Sequence, residues 1–380
     1  MNAPKLRFKE FSDEWISKKL FQLVEFSKGN ILAKADLAET GNYPCILYGQ
    51  LYTKYNEVIR KIYSKTNINE NNIPKSKKGD VLIPSSGETP IDISTSSCIQ
   101  IDNVLLGGDI NILRPISCDG RFLSYLINNN KKTEIAKVAQ GHSVVHLYND
   151  NLKQVSINIP SIQEQKRISD TLELLDKKIE LQTKKIEDLK LFKKGLILSL
   201  KKNSFDWHTV CIKDLFKITR GVVIPKNELS EFKSGEYKYP VYSSQTSNQG
   251  VLGYSDTFDF NGKYLTWTTD GANAGKVFYR NGKFRCTNVC GVLYEDNIRF
   301  TNELFAELLN YETPKHVSYV GNPKLMNNIM ANIKIKIPSD DIQENISLVI
   351  NTINHKVNLE NKKLLKLQEL KKGLMQSMFV

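Results

Sequence analysis

Residues 159–196 decide the fold: they open with Ile-Pro-Ser-Ile-Gln-Glu and close with Lys-Lys-Gly-Leu. A similar stretch returns at residues 337–374, with two aspartates inserted after Ile-Pro-Ser and the same Lys-Lys-Gly-Leu ending. We align Ile342-Gln343-Glu344 with Ile162-Gln163-Glu164, which leaves a short deletion after the aligned residues in the second copy. The pattern indicates that one unit of about half the chain has been duplicated and has then diverged.

Both stretches carry an apolar repeat with steps of three and four. In the first copy the positions are Ile168, Leu172, Leu175, Ile179, Ile186, Leu189 and Leu196, with Gln182 and Lys193 in the same register. In the second they are Ile346, Ile350, Ile353, Val357, Leu364, Leu367 and Leu374, with Glu360 and Lys371 in register. A sustained 3.5-residue repeat without proline is typical of a coiled-coil seam. Each copy therefore predicts a long helix that needs a partner.

Two arrangements satisfy that need. The helices pair with each other, antiparallel because the chain is a direct repeat, or each packs on its own domain; we favour the pair. The apolar residues near the helix ends leave a similar choice between docking a partner protein and packing on the domains. They are Leu196, Leu198, Leu374, Met375, Met378 and Phe379.

The segments before each helix are also related, since Trp15 and Gly29 correspond to Trp207 and Gly221. Short β-branched and aromatic runs at residues 80–83, 263–266, 276–279 and 291–294 predict strands, with short helices at 121–130 and 301–310. Asn281-Gly282 between two such runs predicts a β-hairpin. We expect an α+β protein with strand-rich domains at 1–160 and 203–340 and long helices at 161–202 and 341–380.

The composition narrows the class of protein. The 380 residues carry a net charge of +12, which favours a polyanionic partner such as nucleic acid. No apolar run is long enough to span a membrane, and the N-terminal residues lack the apolar core of a secretion signal. The six cysteines are scattered without a Cys-x-x-Cys pair. We therefore expect a cytoplasmic protein with reduced thiols.

Catalytic motifs are not found. Gly271–Lys276 is one residue short of a phosphate-binding loop, and no glycine fingerprint for a dinucleotide or S-adenosylmethionine follows a strand. His142 and His146 have helical ligand spacing but no third ligand, and Cys286 and Cys290 are typical of buried thiols. Catalysis by this chain alone is not expected, and no metal or cofactor site is predicted.

Polar segments occupy matching positions in both copies and suit the recognition of DNA bases and phosphates. The alternative for each is a solvated polar loop. The candidate DNA-binding residues of the first copy are Gln50, Lys54, Tyr55, Lys77, Lys78, Ser85, Ser86, Thr89 and His142. Those of the second copy are Ser243, Ser244, Gln245, Asn248, Thr268, Thr269, Asn273, Lys276, Asn322 and Lys324.

The arrangement resembles the specificity subunit of type I restriction-modification enzymes. Pro160, Glu164-Gln165 and Ile168 look like the family's opening of a conserved long helix, and Lys193-Lys194-Gly195-Leu196 looks like its close. The second copy departs from this pattern, with Gln343-Glu344-Asn345 in place of the Glu-Gln pair. The resemblance covers nearly the whole chain.

The resemblance implies a non-catalytic DNA reader in which each domain recognises one half of an asymmetric, split target and the helices set the spacer. It also implies two modification subunits that methylate adenine with S-adenosylmethionine, and restriction subunits that use ATP and Mg²⁺. The competing hypotheses are a DNA-modifying enzyme acting alone, a stand-alone DNA-binding protein, and a coiled-coil scaffold without a role on DNA.

Overall fold

A computed structural model describes residues 3–68, 72–141, 144–202 and 207–380. It divides into two compact units, Met1–Thr183 with Lys363–Val380 and Lys184–Lys362. We call them unit 1 and unit 2. Among the described residues, no helix has the length and apolarity that crossing a membrane requires.

Unit 1 is built around a sheet with the strand order β2-β10-β6-β8-β4, beside a smaller sheet of order β5-β3-β9. Its strands are β1 Ile16–Lys19, β2 Val24–Lys28, β3 Tyr43–Ile46, β4 Val58–Ile59, β5 Ser64–Thr66, β6 Val81–Pro84, β7 Ser86–Gly87, β8 Ser97–Ile99, β9 Leu105–Leu106, β10 Ile110–Pro115, β11 Val145–His146 and β12 Ser156–Ile159. Its short helices are α1 Tyr48–Thr53, α2 Pro90–Ile93, α3 Gly120–Leu126, α4 Lys132–Val138 and α5 Asn149–Lys153.

Unit 2 repeats this plan with the sheet order β14-β19-β17-β18-β15-β16. Its strands are β13 His208–Cys211, β14 Lys217–Arg220, β15 Tyr239–Tyr242, β16 Val251–Ser255, β17 Phe260–Thr268, β18 Val277–Cys286, β19 Cys290–Tyr294 and β20 Lys334–Ile337. Its short helices are α7 Ile212–Leu215, α8 Glu303–Glu312 and α9 Asn327–Asn332. The strands and helices expected at 80–83, 121–130, 263–266, 276–279, 291–294 and 301–310 are confirmed, with small shifts of their ends.

The hairpin predicted at Asn281-Gly282 is wrong. Both residues lie inside β18, which pairs with β17 from Phe260↔Phe284 to Trp267↔Val277. Gly282 lies opposite Gly262, and both have positive φ angles, 108° and 128°, that glycine adopts without strain. Long-range pairing along the whole strand therefore overrides the local turn preference of Asn-Gly.

The long helices are α6, Ile162–Lys202, and α10, Asp340–Met378. All the seam positions predicted from the heptads are buried or half-buried, and most residues between them are exposed. In unit 2, Lys185 of α6 contacts Glu360 of α10 and Lys193 contacts Asn354, so residue numbers rise on one helix as they fall on the other. The helices therefore pair with each other in antiparallel fashion, as predicted.

Buried polar contacts explain the Glu-Gln pair at the start of α6. The guanidinium of Arg7 donates two hydrogen bonds, 2.8 and 2.7 Å, to the carboxylate of Glu164, which is almost fully buried. The amide of Gln165 donates to the carbonyl of Pro160 and accepts from the backbone N–H of Asp119. The motif therefore ties the helix to the domain that precedes it.

Gln343 takes the place of Gln165 in the second copy. It is buried, and its amide donates to the carbonyl of Arg299 at 3.1 Å, beside the N-terminus of α8. The heptad positions Ile168 and Ile346 impose the same correspondence. Our alignment of Glu344 with Glu164 is thus wrong, because the helix register and not the local sequence sets the equivalence.

A half-buried lysine of α10, Lys371, contacts both α6 and the domain of unit 1. The Nζ of Lys371 lies 2.7 Å from Asp176 of α6 and 2.9 Å from Glu57 of the domain, while the hydroxyl of Tyr125 donates to Asp176 at 2.5 Å. Burial raises the pKa of Asp176, and Lys371 offsets part of that rise. Burial lowers the pKa of Lys371, but the charges of Glu57 and Asp176 outweigh it and leave that pKa raised.

Unit 2 uses the equivalent lysine in the same way. The Nζ of Lys193 lies 2.8 Å from the side-chain oxygen of Asn354 and 2.5 Å from Glu307 of α8. Asn354 donates in turn to Glu303. In each unit, a lysine near the end of one long helix therefore contacts the other helix and a carboxylate of the domain.

The choice left open for the helix ends is settled for the C-terminus of α10. Met378 and Phe379 are buried in the core of unit 1 with Ile168 and Leu172, and Leu374 and Met375 pack against it. The ring of Phe379 lies 5.4 Å from that of Phe122. In unit 2, Ile197 lies in a core cluster with Leu304, and Leu196 packs against it.

We predict that Lys371→Met destabilises the protein by about 2 kcal/mol, because it leaves two neighbouring half-buried carboxylates, Asp176 and Glu57, without the cation they share. Urea unfolding of the full chain measures the change. Lys372→Met is the matched control, since Lys372 is exposed, and it should change stability by less than about 0.5 kcal/mol. Equal unfolding midpoints for the two variants would contradict the structural role of Lys371.

Candidate nucleic-acid interface

Five segments of unit 2 meet at one end of its sheet, and we call them the loop end of unit 2: residues 220–226, 243–250, 268–276, 286–290 and 318–326. Backbone hydrogen bonds join them. In each bond the backbone N–H of the first residue donates to the carbonyl of the second: Val222 to Cys286 (3.0 Å), Thr287 to Tyr242 (2.9 Å), Thr269 to Val289 (3.1 Å), Leu325 to Thr269 (2.8 Å) and Gly271 to Pro323 (2.9 Å). The loops are therefore a connected surface held by the strand ends.

Unit 1 has a loop end of the same build, formed by residues 28–32, 85–89, 106–109 and the described parts of 140–149. Asp109 accepts from the hydroxyl of Ser86 at 3.0 Å, its carbonyl accepts from the backbone of Ser85 at 2.8 Å, and Lys28 lies 3.7 Å from its carboxylate. Leu147 donates to the carbonyl of Ser85 just as Leu325 donates to that of Thr269. The two loop ends thus share a backbone framework.

A pair of reciprocal backbone hydrogen bonds lies at the same place in both loop ends, and in unit 2 it closes a hairpin. Ser318 and Lys324 exchange backbone hydrogen bonds of 2.9 Å each, and Gln140 and His146 exchange bonds of 2.9 and 2.7 Å. The candidates Asn322 and Lys324 lie on the hairpin of unit 2, and both are exposed. The candidate His142 lies outside the described residues.

The other candidates of unit 2 differ in how far their side chains are exposed. Asn248, Asn273 and Lys276 are exposed on the loop end. Thr268 and Thr269 are buried, with hydroxyls that donate to the carbonyl of Asn273 and to Asp270.

Three further candidates of unit 2 are half-buried on segment 243–250. The hydroxyl of Ser243 bonds that of Thr287, and the amide of Gln245 donates to the carbonyl of Val251, whereas Ser244 has no hydrogen bond among those we describe. Structure therefore brings all ten second-copy candidates to one end of the sheet, but several hold the loops rather than face solvent.

In unit 1 the candidates are spread over different places. Ser85, Ser86 and Thr89 lie on the loop end; the two serines are buried against Asp109, and Thr89 is exposed as the N-cap of α2. Gln50 is buried in α1, where its amide donates to Ser64 at 2.5 Å. Gln50 therefore lies in a helix and does not face solvent, which is neither the DNA-facing position predicted for it nor the solvated loop given as the alternative.

Tyr55, Lys54, Lys77 and Lys78 lie away from the loop end. Tyr55 is buried, and its hydroxyl accepts from the backbone of Tyr63, while Lys54 is exposed beside it at a cavity of about 590 Å³. Lys77 and Lys78 precede β6, whereas Ser85 follows it, so they lie at the opposite end of that strand. The two lysines line a cavity of about 1090 Å³.

That second cavity is basic. Arg114, Arg121 and Lys166 also line it, although Arg114 is paired with Asp80 at 2.8 Å and Arg121 with Asp119 at 2.9 Å. Lys77 and Lys78 remain exposed beside these ion pairs. They therefore suit a phosphate contact better than contacts to base edges.

Sequence reasoning missed Arg280, the residue that supports segment 243–250. Its guanidinium stacks 3.5 Å from the ring of Tyr242 and 4.4 Å from that of Phe278, and it donates to Gln249 and Thr266 at 2.8 and 3.1 Å. Burial lowers the pKa of Arg280 from its ordinary value. An arginine inside a strand gives no sequence signal for this role.

Segment 243–250 has an unusual backbone that Arg280 holds in place. Asn248 and Gln249 have positive φ angles of 47° and 54°, in the left-handed region that few residues other than glycine and asparagine adopt. Gly250, with φ of 85°, leaves room for the guanidinium, because a Cβ there would lie 3.1 Å from it. Several polar side chains are presented by this strained turn.

The chemistry available at both loop ends is recognition. Polar side chains and exposed cations suit base edges and phosphates. Within the described residues, no group of three His, Cys, Asp or Glu side chains is placed to hold a metal ion.

We predict that Arg280→Met loosens the turn at 243–250, since it removes two hydrogen bonds and a cation–π stack worth about 1 to 2 kcal/mol together. Hydrogen exchange at the Ser243 amide, which bonds the carbonyl of Gly250, should become about tenfold faster. Lys263→Met, at an exposed position of β17, is the control. Unchanged exchange in Arg280→Met would refute this support.

Comparison with known protein families matches each of the two repeats separately. The family model for the type I restriction modification DNA specificity domain matches residues 12–191 and again residues 205–369. The protein designated S.MpnORF289P N-terminus of Mycoplasma pneumoniae is 44% identical over 145 residues, which is 38% of this chain and 76% of that protein. The specificity subunit of the type I restriction enzyme MpnII from the same organism is 40% identical over 145 residues, 38% of this chain and 43% of that subunit.

A solved structure supports the fold over the full length. The crystal structure of the type I restriction-modification S subunit from M. genitalium matches with a TM-score of 0.72 at 17% sequence identity, covering 100% of this chain and 99% of that one. Two matches to one family model, which together span most of the sequence, decide the assignment. The chain belongs to the type I restriction-modification DNA specificity family, whose role is to recognise the DNA sequence on which such a system acts.

Proposed function

We propose that each unit recognises one half of a split DNA target through its loop end. The observation that carries this proposal is that both loop ends have the same backbone framework but different side chains. Where unit 1 has Ser85, His146 and Lys28, unit 2 has Thr269, Lys324 and Arg220. Equivalent surfaces with different hydrogen-bonding groups prefer different bases, so the target is asymmetric.

The paired helices set the spacer between the two halves. Helix α6 has 41 residues and is about 60 Å long at 1.5 Å per residue. Half-sites one turn of DNA apart are separated by about 34–36 Å, which such a helix can bridge. The lysine contacts of Lys193 and Lys371 fix which helix residues face each other within each unit, and this supports a spacer of constant length.

The chain acts without catalysing a reaction. It recruits two modification subunits, which bring S-adenosylmethionine and methylate adenine, and restriction subunits that bring ATP and Mg²⁺. Exposed apolar residues of the long helices are candidate contacts for the modification subunits; on unit 1 they are Leu174, Leu181, Leu365 and Leu370, and on unit 2 Leu191, Phe192, Leu348 and Leu359.

The repeat supports two such contacts. Leu181 of α6 corresponds to Leu359 of α10, and Phe192 corresponds to Leu370, so each helix carries the same pair of exposed apolar positions. Unit 1 therefore carries Leu181 and Leu370, and unit 2 carries the equivalent Leu359 and Phe192. Two equivalent sets of exposed apolar residues favour two copies of one partner.

A methylation map tests the proposal. The chain is expressed with the modification subunit encoded beside it in a host without DNA methylation, and N6-methyladenine is located by long-read sequencing. We expect one asymmetric motif with two short specified halves around a spacer of fixed length. The control is the modification subunit expressed alone, which should leave the genome unmethylated.

Two results would contradict the proposal. A palindromic or continuous motif would show that the units do not recognise separate, different halves. Methylation by the purified chain alone would make it an enzyme rather than a recognition subunit.

A further inference from the structure

The hairpin of unit 2 carries two exposed apolar side chains at its tip. Tyr319 is 69% exposed and Val320 is 92% exposed, the most exposed large apolar residue among those described. Gly321 follows with a φ angle of 74° and turns the chain back towards Lys324. The two adjacent side chains therefore form a small apolar surface that protrudes from the loop end of unit 2.

The base of this hairpin is rigid. Ser318 and Lys324 exchange backbone hydrogen bonds, and the flanking Val317 and Leu325 are buried in the core of unit 2. Gly271 and Thr269 add bonds from the neighbouring loop to Pro323 and Leu325. The tip is therefore held out from a fixed support, which lowers the entropy that insertion into a partner would cost.

The charges around the tip match DNA. Lys324 lies at one foot of the hairpin, and its Nζ is 3.9 Å from the carboxylate of Asp270, a loose contact that leaves the cation exposed. Arg220 is a second cation near this foot: its guanidinium contacts the sulfur of Met326, two residues after Lys324, at 3.8 Å. A protruding apolar tip flanked by cations is the arrangement of proteins that insert a wedge between base pairs.

We propose that Tyr319 and Val320 insert between base pairs of the half-site that unit 2 recognises, unstack that step and bend the DNA. This inference rests on the proposed function, since it assigns a role within one loop end. The corresponding positions of unit 1 are Gly141 and His142 in the sequence, and the described residues of that stretch include a single exposed apolar residue, Val144, so the adjacent pair of exposed apolar side chains is found in unit 2 and not in unit 1. Specificity at the wedged step then comes from how easily it deforms rather than from contacts to base edges.

The test uses the complex of the full chain with its modification subunit and the duplex target found by methylation mapping. The wedge variant is Tyr319→Ala with Val320→Ser. We expect it to bind the intact target at least tenfold more weakly than the unmodified complex. A duplex with a single mismatch at the wedged step should restore its binding, because the cost of unstacking is already met.

The matched control is Ile298→Ser, which removes a 55% exposed apolar side chain after β19, at the end of that strand away from the loop end. It should bind intact and mismatched duplexes as the unmodified complex does. Mismatches are moved one base pair at a time through both half-sites, and rescue is expected at one step only.

Three results would overturn the inference. One is unchanged binding of the intact target by the wedge variant. Another is weaker binding that no mismatch rescues, which would make the tip a simple contact. The third is loss of the modification subunit from the variant complex, which would make the tip a protein-docking surface. An unmodified complex that does not prefer its methylated motif over other DNA would instead refute the proposed function itself.

Discussion

The structure depends on an exchange of helix ends between the two repeats. Lys371, from the end of the second repeat, forms ion pairs with Asp176 and Glu57 in unit 1, and Lys193, from the end of the first, contacts Asn354 and Glu307 in unit 2. Met378 and Phe379 complete the core of unit 1 beside Ile168. Neither domain therefore buries its apolar surface with its own repeat alone, and this constraint ties both domains to one antiparallel pair of helices.

That constraint separates the residues that hold the fold from the residues that can change without disturbing it. The helix seams and the ion pairs of Glu164 and Lys371 hold the frame, whereas the loop ends are formed by other residues, although in unit 2 Gln249 also donates to Asn358 of α10 at 3.3 Å. Substitutions at Asn248 or Asn273 change the surface offered to DNA without touching the seam. One frame can therefore carry different recognition surfaces, which suits a protein that defines the target of a larger assembly.

The periodicity of the heptads made the two long helices and the duplication predictable, because a sustained 3.5-residue apolar repeat is typical of paired helices. The correspondence at the helix starts was less predictable, because the local sequence Ile-Gln-Glu favours one alignment, whereas the heptad positions and the buried amides of Gln165 and Gln343 support another. The candidate site was predictable at the level of segments in unit 2. Individual residues were not predictable, as Gln50 and Arg280 show. Burial by residues distant in the sequence decides whether a polar side chain faces solvent or supports the fold.

The central claim is that one unit recognises one half of the target, and exchanging a domain tests it most directly. Residues 1–160 are replaced with the equivalent domain of a relative of known, different specificity, and the methylated motif of the chimaera is mapped. The account predicts that one half of the motif changes to that of the donor, while the other half and the spacer stay the same. A change in both halves would contradict it.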